Sequence, residues 1–192
     1  MGLFSTIPVD EVTVLDIAQA ADVTSAAVYY HFPAREQILL HGMQRFFDAM
    51  IDDLRQVSAS AQPSLGVHDV LVHEMGWIQK HRVNSLVYFV SSIGLNMQVE
   101  ALRREGRIEM IEILSEVARR ARGRLSRADT GMIALGLVSL IETSAASMLN
   151  QDVTFQSLGA RGFAKTVGDI GSRMAGVEVV MDSRSRQRSK SR

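Results

Sequence analysis

The sequence predicts an all-α fold, and three observations carry that prediction. Apolar residues return every three or four positions in one segment after another, and no segment alternates with the period of two that a half-buried strand requires. Prolines stand only at Pro8, Pro33 and Pro63, so the 129 residues from Ser64 onward contain nothing that removes a helix hydrogen bond. Near the N-terminus two short helical patterns flank a tight turn and lead into a much longer helix, a helix-turn-helix arrangement. The chain divides into a helix-turn-helix head over residues 1–46, a larger helical domain over 47–178 and a basic tail over 179–192.

The head is the most informative stretch. Residues 1–6 read as the last turn of a helix and 8–11 as a loop. Thr13 is placed to cap a helix whose apolar stripe is Val14, Leu15, Ile17, Ala18 and Ala21. Asp22 stands at the turn, and Asp is one of the few residues besides glycine that accepts a left-handed backbone. Thr24 caps a second short helix over 25–32, and Pro33 ends it by pushing its neighbour out of the helical region. Val28 and Phe32, four apart, are expected in the core. The leading edge is small and polar: Thr24 and Ser25 can donate to phosphates or base edges, and Ala26 can meet a thymine methyl. Tyr29, Tyr30 and His31 can reach backbone oxygens, and Arg35 is placed to clamp a phosphate. These features point to double-stranded DNA as a partner. Charge argues the other way. Residues 1–50 hold Arg35 and Arg45 against six carboxylates, whereas phosphate neutralisation normally supplies most of the affinity.

The rest of the chain reads as helices in succession. Residues 34–58 form one long helix with Leu39, Met43, Phe46, Phe47, Met50, Leu54 and Val57 on one broad face. It begins in the head and ends in the larger domain, so a tilt of this rod would couple the two. A polar loop containing Pro63 follows over 58–66, then helices over 68–81 and 83–98. Residues 98–122 are amphipathic with charges of both signs, a solvated face rather than a nucleic-acid patch. The last pair, 127–150 and 154–175, sets small residues such as Gly136, Ser139 and Ala145 against large ones such as Phe155, Phe163 and Ile170, which lets helices approach closely. Residues 182–192 carry five basic residues and nothing apolar, a composition expected to be disordered.

The stretch from 13 to 38 resembles the DNA-binding region of TetR-type (tetracycline-repressor-like) transcriptional regulators. Thr13, Val14, Asp16, Ile17, Ala18, Ala21, Val23, Val28, Tyr29, His31, Phe32, Glu36 and Ile38 hold or nearly hold that pattern. Asp22 stands where the pattern has a turn glycine, Ala34 where it has a capping serine, and Arg35 where it has a lysine. The resemblance implies that Thr13 touches a phosphate as well as capping, and that Tyr29 and His31 contact DNA. It implies a homodimer built on the last helix pair, a palindromic operator, and a repressor released by a small effector bound in the larger domain. The spacing from Leu3-Phe4 to Ile17-Ala18 matches the end of the family's first helix. The chain is therefore expected to begin at that helix's last turn, lacking most of it. The alternative that follows is a helical ligand-binding dimer with little DNA affinity.

For the effector, Trp77, Tyr88 and Met110 are the candidate apolar lining and His81, Asn96 and Glu142 the candidate polar anchors. Ten methionines make an adaptable interior, so an apolar or amphipathic effector is expected. Other classes find little support. The absence of cysteine excludes a disulfide framework, a Cys-based zinc site and a thiol nucleophile. His68, His73 and His81 are spaced by five and eight, not the four that puts two ligands on one helical face, so no metal is expected. No nucleophile-base pattern, phosphate loop or paired-carboxylate site stands out, so neither enzyme activity nor a cofactor is expected. The longest apolar candidate, 131–141, is shorter than a membrane span and has Ser139 near its end, and no basic, apolar leader opens the chain. A cytoplasmic protein without a membrane partner is the expectation.

Overall fold

The computed structural model describes residues 1–60, 66–123 and 125–177. Among them the regular elements are all helices: α1 (Gly2–Thr6), α2 (Val14–Ala20), α3 (Ser25–His31), α4 (Arg35–Ser60), α5 (Gly66–Lys80), α6 (Arg82–Leu86), α7 (Met97–Arg122), α8 (Arg127–Leu149) and α9 (Val153–Met174). A π-helical turn, Val87–Ser91, continues directly from α6. The basic stretch 182–192 and most of the loop around Pro63 lie outside the described residues; the ends of that loop, Ser58–Ser60 and Gly66, are helical.

α4 is the axis of the molecule. It starts weakly, since Ala34 offers only its backbone oxygen to Gln37 N. Burial along its length compensates. Leu39 and Met43 pack in the head, and Phe46, Phe47, Met50, Ile51 and Leu54 are buried further on. The division at 46/47 thus falls inside a continuous helix. α4 packs against α5 and α7, α5 lies along α9, and α7 lies along α8. Close approach of α5 and α9 depends on glycine. A Cβ at Gly168 would stand 2.9 Å from Val72 Cγ2 and 3.0 Å from the His68 carbonyl oxygen, and one at Gly171 would collide with Leu71.

Two expectations are corrected. The apolar helix expected over 83–98 stops at Ser91, because Gly94 takes a left-handed φ of 72° and Asn96 opens the next helix. Asn96 Oδ1 accepts from Val99 N at 2.9 Å, a local cap that periodicity alone does not reveal. The apolar run at 131–141 also continues past Glu142, so α8 is long and apolar enough by composition to cross a membrane. It is packed against α5, α6, α7 and α9, which buries Ala134, Leu137, Val138, Ile141 and Ala145 and leaves Met132 and Leu135 exposed.

α1 packs on α6 and on the π-helical turn, with Phe4 buried, and so ties the head to the body beside α4.

Candidate nucleic-acid interface and effector core

The helix-turn-helix is built by local chemistry. Thr13 and Asp16 form a reciprocal cap: Thr13 Oγ1 accepts from Asp16 N at 3.2 Å, and the Asp16 carboxylate accepts from Thr13 N at 2.8 Å. Asp16 Oδ2 also accepts from the Thr13 hydroxyl at 2.6 Å. These bonds hold the Asp16 carboxyl below the usual carboxylate range. α2 then ends in a Schellman motif: Val23 N donates to Ala18 O, Asp22 N donates to Gln19 O, and Asp22 takes φ 55°. Thr24 Oγ1 accepts from Ala27 N at 3.1 Å and starts α3.

α3 is anchored by Val28, which is buried. Its other face is open. Ser25 is half-buried, Ala26, Ala27 and His31 are exposed, and Tyr29 and Tyr30 keep 56% and 85% of their surface. Phe32, expected in the core, is only half-buried. It faces a cleft of about 660 Å³ between the end of α3 and the starts of α4 and α7, its ring tilted against His41 at 5.8 Å. The reason is the turn at Pro33: the chain leaves α3 extended at Phe32 and carries its ring away from Val28.

Arg35 is less free than its position in the sequence suggests. Nη1 donates to the carbonyl oxygens of Asp10 and Val12, and Nε donates to Glu36 at 2.9 Å. The guanidinium braces the loop before α2 and holds the Glu36 carboxyl below its usual range. Only Nη2 is left to reach outward.

The six candidate effector residues fall into separate places. Trp77 and Tyr88 lie on one aromatic cluster, their ring centroids 5.4 and 5.5 Å from that of Phe46. His81 joins it, its ring tilted against Trp77 at 4.0 Å and its Nδ1 2.9 Å from the Trp77 carbonyl oxygen. Tyr88 is fully buried against Phe47 and Phe89, under the Arg103 guanidinium at 5.2 Å, and burial pushes its phenol up to about 12. Met110 is buried in the same core. Asn96 lies elsewhere, capping α7 and bordering a cavity of about 230 Å³ shared with Phe4, Arg35 and Leu39 of the head. Glu142 belongs to an ion pair between α7 and α8, accepting from Arg107 Nη2 at 2.9 Å. The histidines also part company, with His73 on Asp53 at 2.6 Å and His68 between Asp69 and Asp169.

One residue escaped the sequence reading. Glu74 is 1% exposed on α5, and neither carboxylate oxygen has a partner among the described residues. Burial, with the nearby charge of Asp53 second, pushes its carboxyl up to about 8. The signal was present: Val67, Val70, Leu71, Glu74, Met75 and Ile78 form one helical face, and Glu74 stands inside it.

On α8, Met132 keeps 67% of its surface and Leu135 is exposed three residues on; Leu158 is exposed on α9. These are exposed apolar residues at separate points of the last helix pair; Met174, 41% exposed, is the one that lies beside Gly136.

The architecture is a helix-turn-helix head with an open second helix, continuous through α4 with an all-helical body. Residues 1–41 match the model of the bacterial regulatory proteins, tetR family. The fold is similar to the crystal structure of a TetR-family transcriptional regulator from Bordetella parapertussis 12822, at 16% identity and a TM-score of 0.67, covering 88% of each chain. No curated protein matches the sequence. The head is thus similar to the N-terminal region of the tetR family, and the chain as a whole shares the fold of that regulator.

Proposed function

We propose that this regulator acts as a homodimer on a palindromic operator, as a repressor released by a small apolar or amphipathic effector in the cytoplasm. The exposed edge of α3 carries this reading: Ala26, Tyr29, Tyr30 and His31 stand clear of the body, with Thr24 and Ser25 at the helix start where base edges are met. Exposed Met132 and Leu135 on α8, with Met174 on α9 beside Gly136, support pairing through the last helix pair. Two copies would set their α3 helices about 34–36 Å apart, one turn of duplex. An effector in the aromatic core around Phe46 and Trp77 would act on α4 directly, since Phe46 belongs to it. Such coupling requires the effector to prefer one tilt of α4 over the other. We place the head at residues 1–46 and the effector and dimer domain at 47–178.

A second reading is a ligand-binding dimer with little DNA affinity. The acidic head favours it, together with Thr13 and Arg35, whose donors serve Asp16 and the backbone rather than solvent. One experiment separates the two. Fluorescence anisotropy at fixed salt on DNA from upstream of the gene should give saturable binding that Tyr29→Ala weakens tenfold or more, about 1.4 kcal/mol, with the dimer intact by sedimentation. Binding unaltered by Tyr29→Ala removes α3 from the interface. No saturable binding by the parent protein favours the second reading.

A further inference from the structure

Glu74 is a charge-bearing group sealed into an apolar core with nothing to bond among the described residues. Its place is fixed by two contacts between α4 and α5. Asp53 meets His73 at 2.6 Å on one side, and Phe46 meets Trp77 at 5.4 Å between ring centroids on the other. Glu74 lies between them in sequence, on the buried face of α5. Both its oxygens are buried and without a partner among the described residues. A buried polar group without a partner is costly, and in native proteins it calls for an explanation such as a missing ligand. The second observation is electrostatic. Asp53 acts on Glu74 as a like charge, and the buried Arg103 guanidinium is engaged over the Tyr88 ring rather than by Glu74. The surroundings suit an organic cation better than a bare ion. Met43, Met50, Met75 and Met110 are all buried in the same core, and methionine repacks at low cost. Phe46 and Trp77 offer aromatic faces to a cation or an alkyl chain, with Tyr88 packed beside Phe46.

We infer that Glu74 is the anchor of the effector site and that the effector is an amphipathic amine, its ammonium on Glu74 and its apolar part among Phe46, Trp77 and Tyr88. This deepens the effector reading above and rests on it. Binding charges Glu74 and fills its empty bonding positions, and the tail parts the aromatic cluster. Phe46 then carries the displacement into α4. His81, an expected anchor by position, is unnecessary for the charge.

The test uses three ten-carbon probes below their micellar range: decylammonium, decanol and decanoate. Trp77 is the only tryptophan, so its fluorescence reports the site, and calorimetry checks it. At pH 8, decylammonium should bind more tightly than the other two. Glu74→Gln and Glu74→Met should each weaken it about tenfold or more, while decanol changes little. Thermal melts confirm that both variants fold. The assignment is overturned if decanol or decanoate binds as well as decylammonium, if both variants bind decylammonium like the parent, or if no probe binds. Decylammonium bound through Glu74 without releasing operator DNA supports the assignment and defeats the effector reading instead.

Discussion

Replacing Glu74 by glutamine should make the protein more stable, and the gain should depend on pH. The carboxyl ionises at about 8 in the fold against 4.5 in an open chain, because burial and the Asp53 charge disfavour its anion. Between those values the folded protein keeps a proton that the unfolded chain has released. Stability therefore has its full value below about pH 4.5, declines as the pH rises, and levels off above about pH 8. At ~1.4 kcal/mol per pH unit, the gap caps the total at ~5 kcal/mol, of which about 3 kcal/mol falls between pH 5 and pH 8. Water entering the core lowers that ceiling. Glutamine keeps the shape and cannot ionise, so its variant lacks this slope. Urea unfolding of both proteins at one fixed concentration, followed by circular dichroism and Trp77 emission at pH 5, 6, 7 and 8, gives the difference directly. The other titrating groups are common to both and cancel. The expected result is near equality at pH 5 and a variant more stable by about 2–3 kcal/mol at pH 8. Parallel pH profiles would refute the reasoning and mean that Glu74 is solvated or paired.

Asp22→Gly should relieve the left-handed strain at φ 55° and remove an acid from the head. The melting curve should show up to about 1 kcal/mol of stabilisation, and anisotropy should show tighter operator binding at fixed salt. The glycines of the body should split by environment. Gly168→Ala should cost about 1–2 kcal/mol in urea unfolding, because its Cβ would press on the His68 backbone. Gly76→Ala, with open space around the new methyl, should instead stabilise α5 by about 0.5–1 kcal/mol. Equal effects at the two positions would contradict the close packing of α5 on α9.

The elements readable from sequence are those fixed by neighbours in the chain. The cap at Thr13, the turn at Asp22, the cap at Thr24 and the stop before Pro33 each involve residues within about four positions of one another, and they appear where the sequence puts them. The broad face of α4 was legible from its period, though it buries Ile51 and leaves Val57 half-buried. The end of the π-helical turn at Ser91 was not. A continuing apolar pattern looks the same whether or not a left-handed Gly94 and a cap at Asn96 interrupt it.

By itself, the sequence determined the helical class, the helix-turn-helix and the long rod joining head to body, because period, caps and prolines act over one or two turns. Only the tertiary structure decided what the functional side chains meet. Arg35 is bound to carbonyl oxygens more than twenty residues away, Asn96 and Glu142 stand apart from the aromatic core, and Glu74 is left alone inside it. Each outcome depends on which helix faces which, and that is set by the packing of distant segments around α4.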